Sequence, residues 1–401
     1  MVTLVVTMGK GSQDLYSQKL AENLDVPKIY TDTYQRCGEL FNISFFSRAS
    51  AKAAFHDFRF IRTLNKLDSV VHLPNQHLGR YGFSLKVPYI ITVHDLIRYF
   101  DLKGHDVLIH RPNFRDKFYL SLDYKGIEKA IKIIAVSCAT KHDLIRHLGI
   151  PGERIAVIHE GIGRGTLKPV RIRPLPYPYI LYVGSEHPRK NLDGVLQVFA
   201  RLKQGDDFGD LKLVKVGKAG GREVDFRRET LGIVDGLNLR DEVVFTEWVS
   251  DEELAAYYSN AECFVFPSLY EGFGFPPLEA MCCGCPVISS NTSSLPEVVG
   301  EAAIRMDPRD IDGLAKAVQK VLTDENLRKK MVQEGFRQAQ KFSWERAARE
   351  TLKAYQEVEE KLKSNKAKKQ LSYLAFSFLG GNGGKAETGL RKRDWIKVKH
   401  P

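Results

Sequence analysis

The sequence has no apolar run of the roughly 20 residues that a membrane-spanning helix needs. Its first residues, MVTLVVTMGKG, form a short β-branched run that ends at glycines and has no basic segment before it. This pattern favours a buried first strand over a targeting peptide or a membrane anchor.

Cysteine is scarce, with six residues in 401. Three of the six, Cys282, Cys283 and Cys285, stand close together, and no second cluster completes a disulfide framework or a metal site. We expect these three side chains to be small packing residues, and a reducing cytoplasm fits this cysteine usage best.

Two nucleotide-binding motifs are missing. After the first apolar run, Gly9, Gly11 and Asp14 give G-x-G-x-x-D, which lacks the third glycine of the dinucleotide-binding fingerprint. The segment GKGS lacks the spacing of a phosphate-binding P-loop. These absences argue against NAD, and the lack of a short repeat argues against solenoids and propellers.

The net charge of +11 is distributed unevenly. Residues 361–401 hold eleven lysines and arginines against two acidic residues, so the first 360 residues are nearly neutral. A nucleic-acid partner is therefore not expected. The basic tail is either a flexible, solvated extension or a segment that contacts anionic lipid at the inner face of a membrane.

Short apolar runs alternate with amphipathic segments along the body of the chain. Runs of this kind, apolar throughout and separated by helices, indicate parallel sheets that are covered on both faces. The proline-spaced stretch RIRPLPYP divides them into two series, which predicts two doubly wound α/β domains facing a cleft. The predicted strands are residues 4–7, 69–73, 89–93, 131–136 and 155–159, then 179–183, 211–216, 243–246, 263–267, 287–289 and 303–306.

The domain boundaries follow from this division. Residues 1–170 form an N-terminal Rossmann-like domain, and residues 171–345 form a C-terminal one. Residues 346–362 are predicted to be a helix that crosses back to the first domain. Residues 363–401 form the basic, flexible tail.

The stretch EGFGFPPLEAM places two glutamates among glycine, proline and apolar residues. It follows a predicted strand, and its prolines mark a helix start, so Glu271 is expected at the strand end and Glu279 in the first helical turn. A carboxylate at that position accepts two hydrogen bonds at once, which suits a vicinal diol. The alternative is that both glutamates serve only as caps or salt-bridge partners.

The stretch YVGSEHPRKN places Arg189 and Lys190 between a strand and the helix that follows it. Cations at a helix N-terminus oppose the helix dipole, so this placement calls for an anion. A planar guanidinium and a point charge beside free backbone N–H groups suit a diphosphate. A diol, a diphosphate and a further set of hydroxyls together describe a nucleotide-activated sugar.

At these residues the sequence resembles the family 4, group 1 glycosyltransferases, which have the GT-B fold. The segment from Phe266 to Gly300, FPSLYEGFGFPPLEAMCCGCPVISSNTSSLPEVVG, is similar to the signature region of that family, with its E-x7-E pair. VGSEHPRKN resembles the diphosphate-binding segment, and ITVHDL resembles the segment with an active-site histidine. Residues 136–162 resemble the passage that leads to the interdomain linker.

The resemblance implies a role for each matched residue. Glu279 would hold the ribose hydroxyls, and Arg189 with Lys190 would bind the diphosphate. His94 would bond the transferred sugar or the phosphate from across the cleft, although a core histidine is the alternative. The remaining implied roles are Glu271 with the backbone of Gly272, Phe273, Gly274 and Phe275 for the sugar, Val249 for the base, and Gly11 for the glycine loop after the first strand.

The implied activity is that of a retaining hexosyltransferase that needs neither a cofactor nor a metal. Negative charge develops on the diphosphate as the glycosidic bond breaks, and the two cations would stabilise it in place of magnesium. The implied partners are a nucleotide sugar such as GDP-mannose or a UDP-sugar and a glycan or lipid-linked acceptor, in glycolipid, polysaccharide or surface-glycan synthesis. The alternatives are a nucleotide-sugar epimerase and a noncatalytic nucleotide-sugar-binding protein.

The aromatic residues Phe41, Phe45 and Phe46 have basic neighbours. They fit either the core of the first domain or a loop that faces the acceptor, and the sequence does not distinguish these alternatives.

Overall fold

The computed structural model describes residues 1–32, 48–104, 108–163, 167–205, 208–220 and 225–379. Phe41, Phe45 and Phe46 lie outside these residues. The described chain contains twelve strands in two sheets, and every recorded strand pair is parallel. The strands are β1 Val2–Thr7, β2 Lys28–Thr31, β3 Val70–Leu73, β4 Tyr89–Val93, β5 Lys132–Ala135, β6 Ile155–Val157, β7 Tyr179–Val183, β8 Lys212–Val216, β9 Val243–Thr246, β10 Cys263–Phe266, β11 Val287–Ser290 and β12 Ala303–Met306.

The strand order fixes where each sheet can bind a ligand. The first sheet runs β2-β1-β3-β4-β5-β6, and the second runs β12-β11-β10-β7-β8-β9. The direction of winding reverses between β1 and β3 in the first sheet and between β7 and β10 in the second. Crevices at such switch points, beyond the carboxyl ends of the strands, are where doubly wound sheets bind ligands.

Helices cover both faces of the sheets, as the uniformly apolar strands require. Nearly every residue of β1, β3, β4, β10 and β11 is buried, and the side chains pack into three apolar clusters. The α-helices are α1 Ser12–Asn23, α2 Arg48–Leu64, α3 Ile97–Lys103, α4 Phe114–Lys129, α5 Cys138–Leu148, α6 Leu192–Lys203, α7 Phe226–Gly236, α8 Asp251–Asn260, α9 Phe275–Cys282, α10 Leu295–Val299, α11 Ile311–Thr323, α12 Glu325–Ala339 and α13 Trp344–Leu379.

The predicted strands agree with eleven of the twelve observed ones to within one or two residues. The strand that sequence reasoning missed is β2, the sequence KIYT at the edge of the first sheet. Its residues are mostly exposed or partly exposed, so it lacks the uniformly apolar pattern that reveals the inner strands.

The last helix, α13, extends past residue 362, where the sequence predicts its end, and continues to Leu379. The added segment, KSNKAKKQLSYLAFSFL, contains neither glycine nor proline and is rich in strong helix formers. Residues 363–379 are therefore helical, and residues 380–401 lie outside the described residues.

Two compact units, Met1–Tyr355 and Gln356–Pro401, divide the chain. Both sheets belong to the first unit. Within that unit α13 reaches the first sheet, because the Tyr355 hydroxyl lies 2.7 Å from Nδ1 of His72 in β3. In the part of the chain that the structure describes, no helix combines the length and apolarity needed to span a bilayer.

Candidate active site

The candidate site lies at the switch point of the second sheet. Arg189 and Lys190 occupy the 3-10 turn Pro188–Lys190 that follows β7, and Glu271 lies in the loop that follows β10. β7 and β10 are hydrogen-bonded neighbours with parallel direction, so both loops leave the same edge of the sheet. The topology therefore brings together residues that are about 80 positions apart in the sequence.

Glu271 binds both cations. Its Oε2 lies 2.9 Å from Arg189 Nη1, and its Oε1 lies 2.7 Å from Lys190 Nζ. The Ser268 hydroxyl donates a further hydrogen bond of 2.6 Å to Oε1. Burial would raise the pKa of Glu271, but Arg189 and Lys190 outweigh it and lower that pKa to about 2. The carboxylate is therefore ionised at every physiological pH.

The carboxylate of Glu271 therefore supplies part of the negative charge that Arg189 and Lys190 require. Because two cations face one carboxylate, these three side chains together carry an excess of positive charge. Lys190 also lies over the ring of Phe266, with Nζ 4.8 Å from the ring centroid. The buried Nε of Arg189 has no hydrogen-bond partner among the described residues. The excess positive charge of the two cations leaves capacity for a further anion.

The loop from Gly272 to Phe275 leads into α9. Gly274 has a φ of +120°, a conformation that side chains rarely adopt, and it is the N-cap of the helix. Among the described residues the structure records no acceptor for the backbone N–H groups of this loop. Pro276 and Pro277 have no N–H, so the free donors are the N–H groups of residues 272–275. Beside two cations, these donors are suited to an anionic or hydroxylated ligand.

Glu279 lies just beyond the first turn of α9, where the sequence predicts it to lie within that turn. The helix begins at Phe275, so Glu279 is its fifth residue and the first turn contains no acidic residue. The expectation of a first-turn position was wrong, because the helix starts one residue before the proline pair. The Tyr258 hydroxyl donates a 3.0 Å hydrogen bond to Glu279 Oε2. Burial raises the pKa of Glu279 to about 7, although the hydrogen bond from Tyr258 opposes it.

Val249 lies in the loop between β9 and α8 and packs against the apolar cluster beneath the site. Its neighbour Trp248 is 76% exposed. α8, which follows this loop, carries Tyr258, the hydrogen-bond donor to Glu279.

His94 follows β4 of the first sheet and lies against the second-sheet loop. A Cβ on Gly272 would come within 2.0 Å of the His94 carbonyl oxygen, and the Thr140 hydroxyl donates to the same oxygen at 3.2 Å. The imidazole is engaged by the protein, with Nδ1 2.9 Å from Glu160 Oε1 and Nε2 3.0 Å from the Pro74 carbonyl. The structure therefore brings the backbone of His94 to Gly272 and directs its ring to first-sheet neighbours.

Two family models match consecutive parts of this chain. Glycosyltransferase Family 4 matches residues 5–163, and Glycosyl transferases group 1 matches residues 165–338. The chain is also 31% identical over 265 residues to O-antigen chain mannosyltransferase B of Escherichia coli, a match that covers 63% of this chain and 68% of that protein. The chain belongs to the family 4 (group 1) glycosyltransferases.

A further relative, the serotype-specific mannosyltransferase WbdA of Escherichia coli, is 30% identical over 326 residues. That match covers 77% of this glycosyltransferase but only 38% of WbdA. Among solved structures, HepE of Anabaena in complex with UDP-glucose superposes with a TM-score of 0.69 at 17% identity, over 88% of this chain and 99% of that one. The superposition shows that this glycosyltransferase has the GT-B fold.

We call Arg189, Lys190 and Glu271 the Glu271 group. The structure does not bring Gly11 to this group. Gly11 is the N-cap of α1 at the switch point of the first sheet, and its N–H donates to Asp14 Oδ2 at 3.1 Å. Among the described residues no hydrogen bond or ion pair joins Gly11 to a residue of the second sheet.

Several residues that hold the site together were not found from the glycosyltransferase sequence. Asn191 donates to the carbonyls of Pro267 and Pro308 at 3.0 and 2.8 Å, which ties the loop after β7 to the loop after β10. Glu160 holds the imidazole of His94, and Ser293 accepts the backbone N–H of Glu271 at 2.9 Å. The sequence signal that could have identified one of these residues is the position of Asn191, directly after Arg189 and Lys190.

Cys283 and Cys285 are buried in the apolar cluster of the second sheet, and Cys282 packs against it, as expected. Within the described residues they form no part of a group that could hold a metal.

Proposed function

We propose that this protein transfers a hexosyl group from a nucleotide-diphosphate sugar to an acceptor hydroxyl and retains the anomeric configuration. The observation that carries this proposal is the Arg189, Lys190 and Glu271 group at the switch point of the second sheet, beside the free N–H groups of residues 272–275. Two cations held by one carboxylate are already in place before a ligand arrives.

The chemistry of the site follows from this arrangement. As the bond between the sugar and the diphosphate lengthens, negative charge grows on the leaving phosphate oxygens. Arg189, Lys190 and the N–H groups of the loop stabilise that charge without moving, which is the largest contribution that a preorganised site makes. Because these groups supply the positive charge, we propose that transfer proceeds without a metal or another cofactor.

Retention requires that the acceptor attack the same face of the sugar that the diphosphate leaves. Glu271 binds both cations, so it is placed to hold sugar hydroxyls close to the leaving group, as the resemblance implies. Its pKa of about 2 makes it a poor proton acceptor at neutral pH. The departing phosphate is therefore the group that we propose takes the acceptor proton.

A mannosyl donor such as GDP-mannose is our first choice, because the relatives reported above are mannosyltransferases named for O-antigen or serotype-specific chains. A UDP-sugar is the second, since HepE, with the same fold, holds UDP-glucose. The acceptor we propose is a growing glycan or a lipid-linked sugar, as part of polysaccharide synthesis. Peripheral contact of the basic tail with the inner face of a membrane remains part of this proposal.

The test is a calorimetric and thermal-shift screen of the full chain against GDP-mannose, UDP-glucose and ADP-glucose, with Lys190→Ala and the exposed control Lys329→Ala. We expect one donor to stabilise the wild type and the control, and Lys190→Ala to lose that stabilisation. Incubation of the selected donor with oligosaccharide acceptors, followed by NMR of the anomeric proton, then measures transfer and configuration.

Other outcomes would favour the alternative functions. Donor binding with no transfer to any glycan supports a noncatalytic nucleotide-sugar-binding protein. Conversion of the donor without an acceptor supports an epimerase, and a product with inverted configuration would contradict retention. Failure of all three donors to bind would remove the basis of the proposal.

A further inference from the structure

A second group of chemistry-bearing side chains lies outside the Glu271 group. It consists of Cys138, His159 and Glu297, whose ligand atoms all lie within 4.8 Å of one another. Cys138 is the first residue of α5, and His159 follows β6, so both belong to the first sheet. Glu297 lies in α10, beside the second sheet. We call these three residues the Cys-His-Glu cluster.

The carboxylate of the cluster is held firmly in place. Its Oε2 accepts the N–H of Cys138 at 2.9 Å, and its Oε1 accepts the N–H of Ala139 at 3.1 Å. His159 Nε2 lies 2.9 Å from the same Oε2. The backbone bonds leave a carboxylate lone pair available and fix its direction, as the outer hydrogen bonds of metal-binding carboxylates do.

The ring of His159 is packed as well. It lies edge-on against Phe342, with ring centroids 5.6 Å apart, and near Phe273 at 6.2 Å. Two of the three ligand groups are therefore fixed before an ion binds, and the thiol of Cys138, which is exposed, completes the set by rotation about its side chain.

The donor set selects the kind of ion. Thiolate and imidazole are ligands of zinc and similar borderline metals, whereas calcium and magnesium prefer all-oxygen sites. Zinc takes sulfur at about 2.3 Å and nitrogen or oxygen at about 2.0–2.2 Å, in a tetrahedron whose fourth position water can fill. Ligand atoms within 4.8 Å of one another can converge on such an ion through small side-chain rotations.

We propose that Cys138, His159 and Glu297 bind one zinc ion, which joins an element of the first sheet to an element of the second. As the metal binds, the proton of the Cys138 thiol leaves to solvent. Nε2 of His159 exchanges its contact with Glu297 Oε2 for the metal, and the ring keeps its proton on Nδ1. Because the ligands come from both sheets, the bound ion opposes separation of α5 from α10. This zinc site is separate from the sugar-transfer chemistry, which the proposed function assigns to Arg189, Lys190 and Glu271.

The first experiment uses cobalt as a spectroscopic probe on the full chain. Metal is removed by dialysis against a chelator, and Co²⁺ is then titrated while the near-ultraviolet and visible spectra are recorded. We expect one Co²⁺ per chain, with a sulfur-to-cobalt charge-transfer band and the intense visible bands of a tetrahedral ion. Zn²⁺ should displace the cobalt and abolish these bands.

Matched variants locate the site. Cys138→Ser keeps the side-chain size and the helix start but removes the sulfur, and His159→Gln removes the imidazole. Each should weaken metal binding by at least about tenfold. The controls are Cys282→Ser, a cysteine outside the cluster, and His142→Ala, an exposed histidine on the same helix as Cys138. Both controls should bind cobalt as the wild type does.

A second measurement needs no variant and stands even if one fails to fold. Cys138 is exposed and should react with iodoacetamide, whereas Zn²⁺ should slow that reaction at least about tenfold, with Cys282 as the internal reference in peptide mass spectrometry. The proposal is overturned if the wild type gives no charge-transfer band, if Cys138→Ser binds as the wild type does, or if Zn²⁺ leaves the alkylation rate of Cys138 unchanged.

Discussion

Gly272 lies so close to the backbone of His94 that a Cβ at position 272 would come within 2.0 Å of the His94 carbonyl oxygen. The same Cβ would lie 2.9 Å from the Cβ of Asp95. Gly272 belongs to the loop after β10, and His94 follows β4, so this contact joins the two sheets beside the Glu271 group. Only a residue without a side chain allows that approach.

Replacing Gly272 with alanine should therefore displace the loop that carries Glu271. A displacement of about 1 Å in a positioning element can lower a rate by about a hundredfold. We expect kcat/KM for sugar transfer, or for donor hydrolysis, to fall by one to two orders of magnitude. The control is Gly232→Ala in α7, where a Cβ meets nothing within 4 Å and should stabilise the helix by about 1 kcal/mol. Equal activity of the two variants would contradict this prediction.

Glu271→Gln should lower the stability of the fold without weakening the binding of a nucleoside diphosphate. The substitution leaves Arg189 and Lys190 buried without their carboxylate, and such losses cost about 3 kcal/mol in the free energy of unfolding. The excess positive charge should at the same time hold a nucleoside diphosphate as tightly as the wild type does, or more tightly, while sugar transfer is lost. Urea denaturation and calorimetry with the diphosphate measure the two effects.

The matched control for this variant is Glu301→Gln. The side chain of Glu301 is 85% exposed and pairs with Arg305 on the surface, so the change should alter stability by no more than about 0.5 kcal/mol. The pKa of Glu271 is lowered on folding, so its ionised form stabilises the protein above pH 4.5, and this stabilisation is lost as the pH falls toward 2. A stability difference between wild type and Glu271→Gln that did not shrink over this interval would be evidence against the ion pairs.

Glu279 should make donor binding depend on pH near neutrality. The family resemblance implies that ionised Glu279 accepts two hydrogen bonds from the ribose hydroxyls. Its pKa is raised from 4.5 to about 7, so the ionised form becomes dominant only as the pH rises through 7. We expect the dissociation constant of the nucleotide sugar to fall between about pH 6 and about pH 8 in the wild type. In Glu279→Gln it should be flat, and the same slope in both proteins would exclude Glu279 as the cause.

The raised pKa of Glu279 also predicts that the folded protein becomes less stable as the pH rises. Because the folded state binds the Glu279 proton more tightly than the unfolded state, the protein loses stability as the pH rises from 4.5 to 7. Tyr258→Phe removes the hydrogen bond that lowers the Glu279 pKa, so the midpoint of the donor-binding profile should move to higher pH. Thermal unfolding and donor titrations across this range measure the two shifts.

The His94–Glu160 pair should stabilise the protein mainly at lower pH. Burial acts to lower the pKa of His94, but Glu160 and the Pro74 carbonyl outweigh it and raise that pKa above 6.5. The stabilisation is complete below 6.5 and is lost as the pH rises through the raised pKa. Glu160→Gln should therefore cost more stability at about pH 5.5 than at about pH 9, measured by urea denaturation. The exposed Glu153→Gln should show no such dependence.

The apolar runs of the sequence predicted eleven of the twelve strands of the described chain, because strands of a parallel sheet covered on both faces are near-continuous apolar runs. β2 was missed because its sequence, KIYT, has one aliphatic residue and therefore forms no apolar run. The first residue of α9 could be predicted from the sequence only to within one position. The Pro276–Pro277 pair marks a helix start, but the choice between Phe275 and Pro276 as first residue depends on the N-cap conformation of Gly274, and this moved Glu279 out of the first turn.

The sequence by itself determined the two-sheet architecture and the residue types that the candidate site uses, since hydrophobic period and local helix starts are short-range properties. It placed Arg189, Lys190 and Glu271 at the ends of strands but could not say that one carboxylate binds both cations. The strand order decided that, because it makes β7 and β10 neighbours. Tertiary structure also decided the direction of the His94 ring and the meeting of Cys138, His159 and Glu297, because each of these depends on contacts between residues far apart in the chain.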